Sequence, residues 1–351
     1  MRPTLSIICF TVLSGAGYGI WLVLGLALAL VWPACDAPFV NPSGGTSTVC
    51  WYPPLREHLF VAGFVLVTAG LLFSLGHLGK PLRAWRALSQ WRSSWLSREG
   101  VAALLTYLPA LAVVAAPRIQ EWQGRRFPPG TGYTPWVTDE TMSLIGVVLA
   151  LMCVATVCCT ANIYSSLKPI RAWHNRFVTP AYLLLALHTG LLWTWVLSAL
   201  PNALVEIDAA RSREIDAMLI ALALTSLGLL ALKSFYWRDV DAGSRSGTGR
   251  ATGLESLGEV RAFEAPHTEE NYLTHEMGFV LARKHARKLR LITLAGAFVA
   301  PGLLALLALA FPTARAAAAW LALVSGMLGV FVERWLFFAE ARHAVIAYYG
   351  R

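Results

Sequence analysis

Long apolar runs dominate the chain, separated by short polar gaps that are mostly marked by proline or glycine. Eight runs lie at about 5–32, 57–78, 99–116, 142–164, 178–199, 215–236, 291–311 and 317–338. Each approaches the roughly 20 residues that cross about 30 Å of hydrocarbon. The first and fourth contain no charged residue. Runs this long are not strands, and in lipid a helix satisfies its own backbone polar groups. The pattern therefore predicts an all-α polytopic membrane protein, a bundle of eight transmembrane helices. The first run is longer than a signal-peptide core and no small-residue cleavage site follows it, so it is read as a retained span. One membrane domain results: spans 1–6 over 1–236, a loop over 237–290, and spans 7–8 with a tail over 291–351.

Local signals refine the picture. In SGAGYG (14–19), Gly15 and Gly19 are four apart and predict one helix face that a neighbour approaches closely. Thr179-Pro180 opens span 5, with proline in the first turn. Pro301-Gly302 predicts a kink in span 7. In the long loop, DAGSRSGTGRATG (241–253) reads as a flexible linker. THEMGFVLARKHARKLR (274–290) reads as a helix leading into span 7, either interfacial on anionic lipid or a docking surface for a protein.

Composition agrees with a membrane protein. Of 351 residues, 56% are hydrophobic and 14% charged, against about 25% charged in an ordinary soluble domain. The distribution of charge is more informative. On eight spans, 22 of the 29 Lys and Arg lie on or next to one side, with both termini and the loops after spans 2, 4 and 6. The positive-inside rule makes that side cytoplasmic, including the 80–98 segment. Cys35 and Cys50 share the opposite-side loop after span 1, where a disulfide or two free thiols both fit. Cys153, Cys158 and Cys159 in span 4 lack metal-ligand spacing and read as small packing groups. No loop is long enough to fold a soluble catalytic domain, and neither a metal site nor a nucleic-acid partner is expected.

Ionisable groups inside a bilayer are costly and usually functional. His77 ends span 2, as an interfacial cap or as a group that hydrogen-bonds a quinone carbonyl and moves its proton. Glu99 opens span 3, where the helix dipole favours an acid. His188 sits deeper, in span 5; a bis-histidine haem needs two histidines at matching depth, so one haem suits His77 and His188 poorly. Glu333 and Arg334 close span 8, and an ion pair with a neighbouring helix accounts for them. Parity places His77, Glu99, Tyr164, Lys168, Arg171, His174, Lys233, Glu333 and Arg334 at one membrane face. A one-sided polar cluster beneath basic loops suits a site covered by a soluble partner. A transporter would place such groups near the midplane; an eight-helix transporter or proton-translocating protein is the competing class.

HLGKP (77–81), RAW (83–85) and SWLSRE (94–99) resemble the signature of the dimethyl-sulfoxide-reductase membrane-anchor family. ANIYSSLKPIRAWH (161–174) and ERWLFF (333–338) support the resemblance. It implies an eight-helix anchor without haem. Such an anchor binds ubiquinone or menaquinone and exchanges electrons with a four-cluster, ferredoxin-like iron–sulfur subunit beside a molybdopterin catalytic subunit, at the bacterial inner membrane. The loop bearing FEAPHTEENYL (263–273) resembles the subgroup of sulfite-oxidising complexes with cytoplasm-facing catalytic subunits. On this resemblance His77 and Glu99 are the proton-handling pair. Arg83, Trp85, Tyr164 and Glu333 join them around the quinone, while Lys80, Arg86, Arg92 and Arg171 dock the partner. Trp85, Trp91 and Trp95 are expected at the headgroup level.

The orientation is open to direct measurement. A fluorescent protein fused after Arg351 is expected to mature and fluoresce in cells. Alkaline phosphatase fused within 118–134 is expected to be active, and the opposite pattern would invert the topology.

Overall fold

The computed structural model describes residues 3–30, 39–40, 46–47, 53–76, 78–127, 136–200, 209–243, 248–260, 263–264 and 281–345. His77, Cys35 and Cys50 lie outside the described residues, as does most of 263–280.

Eight long helices are apolar enough to cross a membrane. They are α1 (Leu5–Leu30), α2 (Pro53–Leu75), α3 (Trp95–Arg126), α4 (Asp139–Ser165), α5 (Val178–Ala199), α6 (Ala209–Gly243), α7 (Leu281–Ala310) and α8 (Arg315–Ala339). A small antiparallel pair, Phe39–Val40 with Thr46–Ser47, lies between α1 and α2. Several helices outrun their apolar cores. The α3 helix continues past the expected end at 116, through Arg118, Glu121, Arg125 and Arg126. Hydropathy marks only the crossing, and the polar extension is held by Arg125–Glu121 at i,i+4 and by Arg118–Glu57 at 3.6 Å. Likewise α6 runs on to Gly243, so Asp241–Gly243 of the expected linker are helical, and Thr248–Thr252 form a further short helix. Thr138 caps α4: its hydroxyl accepts from Thr141 N, and Thr141 Oγ1 accepts from Thr138 N.

Burial separates hubs from periphery. Of the spanning windows, 72% of α1 and 67% of α5 are buried, against 22% for α2 and 28% each for α3 and α6. The sequence of α1 is apolar on every side, as a helix enclosed by others must be. It packs on α2, α4 and α5; α3 leans on α4; α5 also contacts α6 and α8; and α7 closes against α6 and α8. Small residues set these approaches. A Cβ on Gly19 would strike the Ala186 carbonyl, and one on Gly190 would strike the Gly19 backbone. Gly25 meets Gly146 and Ala150 of α4 in the same way. The expected Gly15–Gly19 face is therefore corrected: Gly19 seats α5, but the Cβ position of Gly15 has nothing within 4 Å.

Span 7 also departs from a simple proline kink. A π-helical stretch, Leu294–Val299, separates Leu281–Thr293 from Ala300–Ala310. Pro301 has no N–H for the carbonyl four residues back, that of Ala297. His188 Nε2 lies 3.0 Å from that oxygen, and its Nδ1 lies 3.2 Å from Thr225 Oγ1. The carbonyl can only accept, so Nε2 carries the proton. Both ring nitrogens of His188 are thus engaged in joining α5, α6 and α7.

Gly19→Val is expected to lower the melting temperature of the purified protein, since overpacking a close crossing costs about 1–3 kcal/mol. Gly15→Ala is expected to leave it nearly unchanged. Thermal unfolding followed by intrinsic fluorescence distinguishes the two.

Candidate functional site

The segment between α2 and α3 is a 3₁₀ helix, Pro81–Gln90, followed by turns to Ser94. Lys80, Arg83, Arg86 and Arg92 are exposed on it, as are Leu82, Trp85 and Trp91. Guanidinium groups stack on neighbouring indoles, Arg86 on Trp85 at 5.5 Å and Arg92 on Trp91 at 5.4 Å. The first turn of α3 ties this segment down. Ser97 Oγ donates to the Ala87 carbonyl. Arg98 donates from Nε to Trp91 O at 3.0 Å and from Nη2 to Arg92 O at 2.6 Å, with its guanidinium 4.4 Å from the Trp95 ring centre. SWLSRE is therefore the fastening of the basic platform as well as the start of a span.

One residue further on, Glu99 turns inward and is buried. Thr160 Oγ1 of α4 donates to its Oε1 at 2.5 Å. No ion pair forms on Glu99 among the described residues. A buried carboxyl with one hydroxyl partner is costly as an anion, so it holds or gives up a proton according to what lies beside it.

Three other buried charges form a network. Glu333 on α8 accepts from Lys233 of α6 and from Nε and Nη2 of Arg334. All three are at most 3% exposed. At the helix ends nearby, Arg290 of α7 donates to Glu340 at 2.9 Å and to Asp241 at 2.7 and 3.0 Å. Two cations with one anion thus stand beside two anions with one cation, so the six charges cancel. Lys233 also lies over the rings of Tyr236 and Trp237, and Arg334 lies 4.3 Å from the Tyr182 centroid.

Tyr164 is buried in an aromatic nest with Trp173, Tyr182, Phe337 and Phe338. The loop after α4 folds over the same end of the bundle. Trp173 Nε1 donates to Phe337 O at 2.9 Å, Tyr236 OH donates to Ala172 O at 3.1 Å, and Asn175 donates to Asp239 at 2.8 Å. Arg171 remains exposed on that loop.

Of the sequence-predicted residues, the structure gathers Glu99, Tyr164 and Glu333 into one buried region at one end of the bundle. Arg83 and Trp85 stand on the exposed segment instead, with Lys80, Arg86 and Arg92. Sequence reasoning noticed Lys233 and Arg334 as polar outliers but gave them no place in the site. A lysine in LALKSFYW was a visible signal; its partner was not. Thr160, Tyr18 and Tyr182 carried no signal, since neutral polar residues are common in spans. Among the described residues no group of three or more His, Cys, Asp or Glu is placed to hold a metal.

These features define an eight-span helical membrane protein with a one-sided polar interior under an exposed basic, aromatic segment. Residues 55–115 match the family model of the DMSO reductase anchor subunit (DmsC), which bears out the resemblance read from HLGKP and SWLSRE. Along 99% of its length the chain is similar to a sulfite dehydrogenase subunit of Allochromatium vinosum, 28% identical over 355 residues and 99% of that protein. No solved structure matches.

Lys233→Met is expected to destabilise the protein by about 3–5 kcal/mol, because it removes one partner of a buried ion group. Adding Glu333→Gln is expected to restore part of the loss. A thermal-unfolding double-mutant cycle measures the coupling.

Proposed function

We propose that this chain is the membrane-anchor subunit of a molybdopterin oxidoreductase complex, and that it passes electrons between quinone and an iron–sulfur partner. The observation that carries this reading is the position of Glu99. It is a buried, unpaired carboxyl at the root of an exposed basic and aromatic segment, within the region that matches the anchor family. The similarity to a sulfite dehydrogenase subunit favours a catalytic partner that oxidises sulfite. Sulfite and water would then yield sulfate, two protons and two electrons, and the electrons would reduce quinone at this chain.

In this reading His77 hydrogen-bonds a quinone oxygen and exchanges a proton with it, and Glu99 links that proton to the aqueous face. Bound quinone supplies a two-electron, two-proton acceptor. Tyr164 and Glu333 belong to the buried surround, and Arg83 and Trp85 border the entrance from the surface. Lys80, Arg83, Arg86, Arg92 and Arg171 offer exposed positive charge to an acidic face of the iron–sulfur subunit. The protein lies in the bacterial inner membrane with this face in the cytoplasm.

In the intact complex, His77→Ala and Glu99→Gln are each expected to slow quinone-linked electron transfer by at least about tenfold. Artificial-dye reduction by the partner should persist. Unchanged quinone-linked rates in both variants would end this reading. Replacing Arg83 and Arg86 together by Glu should reduce co-purification of the iron–sulfur subunit. A fully active protein recovered with no such subunit would instead favour a transporter.

A further inference from the structure

Between α1, α4, α5 and α8 lies a cleft lined by Ser14, Gly15, Tyr18, Thr160, Tyr182 and Arg334, among others. Two hydroxyls on its walls, those of Tyr18 and Tyr182, are buried and have no hydrogen-bond partner among the described residues. Tyr18 is 3% exposed and Tyr182 7%. The Tyr182 hydroxyl lies near Arg334 without a hydrogen bond of normal geometry. Buried hydroxyls left unpaired are costly, and native proteins satisfy them, commonly with water.

The cleft supplies what a water needs. Its interior is about 30 Å³, where one water requires roughly 10–15 Å³ and two to four polar partners. Ser14 and Thr189 give their own protons to helix carbonyls, at 2.6 and 2.8 Å, so their oxygens can accept from a water. Arg334 pairs with Glu333 through Nε and Nη2, and Nη1 takes no part in that pair. Gly15 leaves space where a side chain would fill it. The ionisable groups around Glu99 are Tyr18 on α1, Arg98 on its own helix, Cys159 and Tyr164 on α4, and Tyr182 on α5.

We infer that this cleft holds about two ordered waters bonded to Tyr18, Tyr182 and Arg334, and that they exchange protons with Glu99 through the Thr160 hydroxyl. Thr160 lines the cleft and donates to Glu99, so it touches both. In the exchange, the Thr160 oxygen accepts one proton and releases the one it held, ending unchanged. Arg334 orients the water by its fixed charge and is not itself deprotonated. Glu99 thereby has an internal proton partner in addition to any route through the membrane surface.

The use of that proton rests on the reading of Glu99 given above, whereas the hydration does not. Two measurements on the intact, purified complex separate them. X-ray-driven hydroxyl-radical labelling with mass spectrometry should modify Tyr18 and Tyr182 well above the level at Trp195, which is buried in a dry apolar cluster. Labelling of both tyrosines at the Trp195 level overturns the proposal. Infrared spectroscopy in H₂O and D₂O should show a carboxyl C=O band that Glu99→Gln removes. Its exchange with deuterium should slow at least tenfold in Tyr18→Phe/Tyr182→Phe and in Gly15→Val. The phenylalanine pair keeps the packing shape, so slow exchange there cannot come from a misfolded bundle. A Glu99 band missing at every pH, or exchange unaffected in both variants, overturns the proposal. Quinone-linked turnover that survives Glu99→Gln, with labelling and exchange as expected, removes the quinone reading and leaves the internal water in place.

Discussion

Glu333 holds α6 to α8 by accepting from Lys233 and Arg334 at once, in a region with almost no solvent. Buried charges of this kind add little net stability over a packed apolar alternative, but they tolerate few arrangements. A lysine in a mostly apolar helix must find its carboxylate, which sets the depth and rotation of α6 against α8. Arg334 then lies on the ring of Tyr182, which brings α5 into the same group. Arg290, Asp241 and Glu340 cancel the leftover charge at the helix ends and draw in α7. One end of the bundle is therefore electrostatically closed except at Glu99.

That exception gives the site its character. The carboxyl of Glu99 has a threonine partner and no cation, while every other deeply buried acid among the described residues is ion-paired. The same helix turn carries Ser97 and Arg98, which fasten the exposed 3₁₀ segment from below. Ser97 and Arg98 therefore tie the exposed segment to within two residues of Glu99. The exposed basic segment and the buried carboxyl are thus joined by one helical turn.

Packing elsewhere serves to keep this end in place. The hubs α1 and α5 meet at Gly19 and Gly190, where backbones touch and no side chain intervenes. Lipid offers no hydrophobic push between helices, so close van der Waals contact of small residues takes that role. The π-helical stretch of α7 is the matching device in the second half of the bundle. It presents the Ala297 carbonyl, which Pro301 cannot satisfy in the α-helical pattern, to His188.

Much was legible from the sequence alone. The eight spans, the one-sided clustering of Glu99, Tyr164, Lys233, Glu333 and Arg334, and the anchor signature around HLGKP and SWLSRE all follow from local pattern and parity. Hydropathy and charge are properties of single residues and short windows, so a linear reading reaches them. Partners are different. That Lys233 meets Glu333, that Thr160 meets Glu99, that Gly19 rather than Gly15 seats a helix, and that two tyrosine hydroxyls face an unfilled space all depend on helix rotation and neighbour order. Those are set by packing among helices distant in the chain, and every apolar span looks alike to its neighbours until the bundle has formed.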